Sequence, residues 1–382
     1  MNSLPGTDQK GAFAYENWQL ALTKAPIRSI LEFPLFTDAH IIGDAPENDA
    51  PYILINVVPI VEAHTLAPAI VLRMEYYIEH DPSVMRKTDV DRFHGGGMSD
   101  EIAALISLCL GVRLKAGGFT RYFEPEKNPK GRPVSWNIQE NPILLKTARR
   151  TILPQALGEH NLSHASPLST FYELSPRASV ALIRAARLYQ DALWIVESEP
   201  QLSWVMLVSA IEAAANYWRP SKEPALERMR LFDPSLEELL VKQGGTKLAL
   251  DVAEKIKDVL GATRKFVDFI VEFLPDPPEQ RPTDYWQHSW ERAQISKTMV
   301  KIYKWRSFAL HRGIPFPVPM CEAPGRSDSY LEEVPMGLAT GARGGVWTKE
   351  DAPMLFHTFE HIVRNSLLKW WKSMLMHNKP DS

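Results

Sequence analysis

The apolar positions of this chain change period about halfway along it. In the first part, Ile27 to Phe33, Tyr52 to Val61 and Ala69 to Ile78 are β-branched or aromatic runs bounded by Pro, Asp and Asn, and each predicts a strand. One helix is expected among them, with Ser99 as a good N-cap and Ile102, Leu105, Ile106 and Cys109 at helical spacing up to Gly111. Val112 to Leu114 and Phe119 to Phe123 flank Lys115-Ala116-Gly117-Gly118 and read as a β-hairpin. Glu124 to about Pro133 is charged and rich in Pro and Gly, so it reads as a loop.

From Ser175 the period becomes helical. Ser175 is an N-cap with Pro176 at the first helical position, and Leu182, Ala186, Tyr189, Leu193 and Val196 form a stripe that ends at Glu199-Pro200. The next helix, Gln201 to Trp218, is apolar nearly all round, which suits a central, buried element; its one charged residue is Glu212. Further helices are expected at Asp233 to Gln243, Lys247 to Leu260 and Thr263 to Phe273. The proline-rich stretch 274–282 then precedes a helix carrying Ile295, Met299 and Ile302. Residues 314–350 read as a long irregular excursion, and Asp351 to about His377 as a last amphipathic helix. The expectation is an α+β protein: a strand-rich part over 1–165 and an all-α bundle over 175–377.

One position breaks the helical pattern in a chemically loaded way. Ile295, Met299 and Ile302 recur at steps of four and three, Ala309 lies further along, and Arg306 falls near the centre of the same stripe. A guanidinium there must be paired in the core or face a shared interface, because an unpaired buried charge is prohibitive. Glu212 is the natural internal partner. If the pair is fully buried, removing either member costs about 3–5 kcal/mol. His311 sits at the end of the same helix, just before Gly313 and Pro315, which are helix-ending residues.

Composition narrows the field only a little. The hydrophobic content of 45% and charged content of 23% are ordinary for globular proteins. A net charge of -3 offers no global attraction to nucleic acid, so any such contact needs a local basic patch. Cys109 and Cys321 are the only cysteines, which excludes a disulfide scaffold and a cysteine-rich zinc site. The first thirty residues hold no signal-peptide core and no apolar run is long enough for a membrane span, so cytoplasmic location without membrane partners is expected.

Several motifs carry less than they promise. His357-Thr358-Phe359-Glu360-His361 matches a zinc-peptidase pattern, but only Asp381 lies downstream as a third ligand, so the histidines are expected on a solvated or dimer-facing surface. Gly95-Gly96-Gly97 and Gly341 to Gly345, the latter with Arg343, read as flexible connectors. Lys146, Arg149 and Arg150 form a small basic cluster that reads as a solvated face. Trp218, Trp370 and Trp371 read as packing or dimer contacts.

Taken together, Leu188-Tyr189-Gln190-Asp191-Ala192-Leu193, Leu207 to Ala213 with Glu212, Tyr303-Lys304-Trp305-Arg306-Ser307 and His311-Arg312-Gly313 make the helical half resemble the Apea-like branch of the HEPN superfamily. That family's signature is an Arg followed, after four to six residues, by a His near a helix end. Arg306 and His311 are separated by four. The resemblance implies a metal-independent endoribonuclease, a toxin or antiviral defence effector, that needs no cofactor and acts as a homodimer. His311 would be general base toward a ribose 2′-OH, and Arg306 would meet the charge developing on the phosphate. Glu212 and Ser307 would support them. A trigger or neutralising partner is implied, with the strand-rich part over 1–165 sensing that trigger or restraining the nuclease, and the alternative is a non-catalytic HEPN module binding RNA or protein. Five positions on a regular helix place Arg306 and His311 about 140° apart. They converge only if the helix loosens before Gly313 or a second protomer contributes.

Overall fold

The computed structural model describes residues 10–46, 50–57, 66–78, 88, 90–127, 131–138, 142–145, 150–218, 224–232, 234–256, 261–327, 330–335 and 339–377. The strand-rich part begins with helix α1 (Phe13–Leu22) and strands β1 (Ser29–Thr37), β2 (His40–Ile42), β3 (Tyr52–Asn56) and β4 (Ala67–Tyr76). Helix α2 (Met98–Leu110) follows, then the short strands β5 (Lys115–Ala116), β6 (Arg121–Phe123), β7 (Ser135–Trp136) and β8 (Glu159–Asn161). Strands β3, β4, β1, β6 and β7 lie in that order in one antiparallel sheet, and β5 also pairs with β1; β2 pairs in parallel with β8.

The expected hairpin over 112–123 is not formed. Two residues expected in its turn, Lys115 and Ala116, instead form β5 and pair with β1, setting Leu35 opposite Ala116, while β6 from the second arm sets Ile30 opposite Phe123. Between them the Gly117 N–H donates to the Pro34 carbonyl at 2.8 Å. A Cβ on Gly117 would lie 2.9 Å from the Phe36 ring, so glycine is what allows this close approach. A long strand edge has outcompeted a local turn.

The helical part comprises α3 (Pro176–Ile195), α4 (Pro200–Trp218), α5 (Ala225–Phe232), α6 (Pro234–Ile256), α7 (Ala262–Glu272), α8 (Arg292–Arg312) and α9 (Phe356–His377). α3 starts as its sequence dictates, with Ser175 Oγ accepting the Ala178 N–H at 3.2 Å. α6 is broken at Gly245, whose φ is 74°, matching the expected gap between two helices there. The excursion 314–350 holds a 3-10 turn and two small hairpins, β9 (Arg326–Ser327) with β10 (Tyr330–Leu331) and β11 (Ala339–Ala342) with β12 (Gly345–Thr348). Gly341 to Gly345 is therefore a hairpin rather than a connector. Arg343 and Gly344 both take positive φ at its tip, the backbone that a tight two-residue turn requires.

Strand-rich and helical parts share one core, which runs from Ala12 in front of α1, through α2, to Met374 in α9. α2 is buried on nearly every side and packs against α1, α3 and α9. The Asp100 carboxylate accepts the Gly97 N–H at 2.8 Å, so the helix start is Gly97-Met98 rather than Ser99, and a carboxylate already occupies it. The buried Glu101 accepts the backbone N–H groups of Phe13 at 3.0 Å and Ala14 at 2.6 Å, capping α1, whose own N-cap is Ala12.

Further into the bundle, Trp204 of α4 lies between the rings of Phe316 and Phe359, at centroid distances of 5.3 and 4.7 Å. It thereby fixes the start of the excursion against the core. Among the described residues, no helix is long and apolar enough to cross a membrane.

Candidate active site at the end of α8

α8 buries Ile295, Met299 and Ile302 completely against the bundle, which fixes its rotation and brings Arg306 onto α4. There Arg306 Nη2 donates to Glu212 Oε2 at 2.6 Å, and the Tyr303 hydroxyl donates to Glu212 Oε1 at 2.7 Å. The guanidinium carbon also stands 5.5 Å from the centre of the Tyr303 ring. Burial, and next the hydrogen bond to Glu212, push the Tyr303 phenol well above its usual range, so it stays a donor to Glu212.

The Arg306 and Glu212 side chains keep 19% and 17% of their surface exposed, so the pair sits at the rim of the bundle. The cost of breaking it is accordingly smaller than for a sealed pair, about 1–2 kcal/mol. Ser307 is half-buried beside it.

His311 is exposed and makes no hydrogen bond or ion pair with any described residue. The helix stays helical through Arg312 and then ends on Gly313, with φ 64°, whose N–H donates to the Phe308 carbonyl. The helix end is therefore capped by backbone rather than by the imidazole. Because the helix does not loosen before Gly313, Arg306 and His311 of one chain stay about 140° apart.

The structure adds a face that the sequence reading passed over. Lys304 and Arg312 both lie over the Phe308 ring, at 5.3 and 4.6 Å from its centre. Seven positions on an ideal helix return almost to the same bearing, so His311 falls about 20° from Lys304 on this cationic and aromatic face. The signal was present in the sequence as Lys304, Phe308 and Arg312 at steps of four. Elsewhere α8 is pinned to the segment before α9 by Trp305 Nε1, which donates to the Asp351 carbonyl at 2.7 Å, and by Lys301 with Asp351 at 2.8 Å.

The other candidate residues find structural work. His357 is buried and not solvated as expected: its Nε2 donates to the Glu332 carbonyl at 2.7 Å, and burial lowers its pKa to about 4. Glu360 is buried too and accepts the Tyr189 hydroxyl at 2.5 Å, while burial raises its carboxyl pKa. His361 meets the Asp276 carbonyl at 3.0 Å. The zinc-like motif is thus spent on carbonyls and a phenol. Among the described residues, no cluster of His, Cys, Asp or Glu is arranged to hold a metal ion.

His288 is buried, with its Nε2 2.9 Å from the Thr298 hydroxyl. Trp370 and Trp371 are packing residues, both in the core. Lys146 and Arg149 lie outside the described residues, and Arg150 is exposed. Comparison with family models, with curated proteins and with solved structures finds no match to this chain.

Proposed function

We propose that the protein is a metal-independent endoribonuclease of HEPN type, acting as a toxin or defence effector and completed by pairing of two copies. The observation that carries this reading is the state of Arg306: oriented by Glu212 and Tyr303, yet still open to solvent, on the helix end that also exposes His311. In such a site the neutral imidazole of His311 takes the ribose 2′-OH proton. Arg306 answers the charge that builds on the phosphate. Lys304 and Arg312 attract the RNA backbone, a local basic patch on a chain of net charge -3. The unbroken helix keeps the pair apart within one chain, so a second copy is part of the reading. DNA is spared, since it lacks the nucleophile.

The test is incubation of the purified protein with single-stranded RNA and DNA, with and without EDTA. The expected outcome is EDTA-resistant cleavage of RNA alone, leaving a 2′,3′-cyclic phosphate. His311→Ala should slow it about 10²–10⁴-fold with unchanged thermal stability. Cleavage by His311→Ala at the wild-type rate would sink the catalytic assignment. The unbroken helix equally favours a second reading, a non-catalytic HEPN module that binds RNA or a protein partner through this face. RNA retained by wild type and by His311→Ala alike, with neither cleaving, would select it.

A further inference from the structure

Helix α8 carries six Lys or Arg residues and no Asp or Glu over its 21 residues, in a chain whose net charge is -3. Two of the six are spent on carboxylates, Lys301 on Asp351 and Arg306 on Glu212. Arg292, Lys297, Lys304 and Arg312 are exposed and form no ion pair with any described residue. Lys297, Lys301 and Lys304 are neighbours at steps of four and three, a spacing at which like charges destabilise a helix. The free protein therefore carries a cationic repulsion that a counter-charge relieves.

The exposed side of α8 is also regular. Ala293, Lys297, Val300, Lys304, Ser307 and His311 recur at alternating steps of four and three and fall within an arc of about 80°, nearly opposite the buried Ile295, Met299 and Ile302. Ser307 is half-buried and the other five are exposed, Val300 by 47%. The stripe is about 27 Å long. Steps of four and three are the seam along which one helix meets another. Small or aliphatic side chains at Ala293, Val300 and Ser307 let a partner backbone approach, and Lys297 and Lys304 between them call for carboxylates. A phosphate backbone gains nothing from Ala293 and Val300. A second copy laid along the same stripe sets lysines near lysines and is repelled.

We propose that this stripe docks an acidic amphipathic helix of a partner protein. Carboxylates of that helix meet Lys297 and Lys304, and its aliphatic side chains cover Val300. The docking stands on the charge and spacing of α8, whether or not the protein cleaves RNA. That the docked helix also covers His311, and so closes the candidate active site, rests on the ribonuclease reading above.

The probe is a synthetic helical peptide with Glu facing Lys297 and Lys304 and Leu facing Val300, beside a control peptide with Gln for every Glu. Fluorescence anisotropy with the full chain should show the Glu peptide binding at least about tenfold more tightly, by a margin that shrinks as salt rises. Lys297→Glu, at an exposed position outside the candidate active site, should weaken the Glu peptide about tenfold with an unchanged melting temperature. A peptide with Lys at the place facing position 297 should recover that loss, which attraction without register to a still basic helix does not do. Val300→Ser should weaken the Glu peptide several-fold and leave oligouridylate, titrated in parallel, unaffected. Equal binding of the Glu and Gln peptides, no binding of either, no recovery by the swapped charge, or oligouridylate bound where the Glu peptide is not would overturn the proposal. Peptide binding and RNA cleavage are read separately, so failure of the ribonuclease reading leaves the docking standing, and the reverse.

Discussion

Two arginines are set among the apolar surfaces of this protein, and they are held in opposite ways. Arg113, just after α2, is completely buried, as is its partner Asp38, and each of its three nitrogens is engaged by a carboxylate. Its Nε and Nη2 take both oxygens of Asp38 at 3.0 and 2.9 Å, and its Nη1 reaches Glu197 at 3.2 Å. Glu197 in turn accepts the backbone N–H groups of Ile152 and Leu153. These contacts join the end of β1, the end of α2 and the end of α3. Arg306 instead gives one Nη to Glu212 and keeps part of its surface in water. A buried cation with a carboxylate on every nitrogen is a joint; a cation with one Nη engaged and part of its surface in water is available to a ligand. Charge alone does not mark a site. Unspent hydrogen-bonding capacity next to solvent does.

The sharpest break of this comparison is Arg113→Met. It strands two carboxylates in the core and should cost about 3–5 kcal/mol, read as a large fall in the urea midpoint. A loss below about 1 kcal/mol would mean that the Arg113 cluster is not the joint its geometry implies.

Acid tests the sealed region a second way. His357 has its pKa lowered by burial to about 4, against an ordinary value of about 6.5, so the unfolded chain binds a proton that the folded chain refuses. Stability should fall as pH drops from about 6.5 towards 4, by about 2–3 kcal/mol at pH 4.5. Glu360 works against this, because its raised pKa is a load on the folded state at neutral pH that eases on protonation. His357→Gln keeps an N–H donor for the Glu332 carbonyl and should flatten the curve. An equally steep curve in that variant would place the acid sensitivity elsewhere.

At the open arginine, Glu212→Ala should cost only about 1–2 kcal/mol, since Arg306 can turn to water. If the protein is the ribonuclease proposed above, RNA cleavage should fall more than stability does, because Arg306 loses its aim. Smallest of all, Lys301→Ala removes a surface pair with Asp351 and should shift stability by at most about 1 kcal/mol in a thermal melt.

How far the sequence could be read follows the reach of the interactions. The stripes of α3, α4, α7 and α8 and the Ser175 cap were legible, because period and capping are set by residues within one or two turns. Arg306 stood out against a regular stripe, and Glu212 as the lone charge of an apolar helix. α1 was illegible, since its cap comes from Glu101, 88 residues away. Arg113 gave no local sign either, with its partners 75 and 84 residues distant. The hairpin expected over 112–123 failed for the same reason: Lys115-Ala116 and Arg121 to Phe123 pair with β1 and not with each other. The His357 motif misled in the other direction, because spacing along a helix does not tell which face looks inward.

One contact also bears on how the protein comes off the ribosome. The Arg364 guanidinium of α9 donates to the Leu108 carbonyl at 2.9 Å and to the Cys109 carbonyl, at the end of α2, and it lies so near Gly111 that a Cβ there would come within 2.9 Å of its Nε. α2 is the most enclosed helix of the strand-rich part, yet the group that satisfies carbonyls at its end belongs to α9, which is made far later. The nascent chain must therefore carry an unfinished centre through more than 250 residues of synthesis, the separation of these two positions. Until α9 is made, the carbonyls at the end of α2 must be met by water or another donor, which makes intermediates of synthesis the vulnerable species.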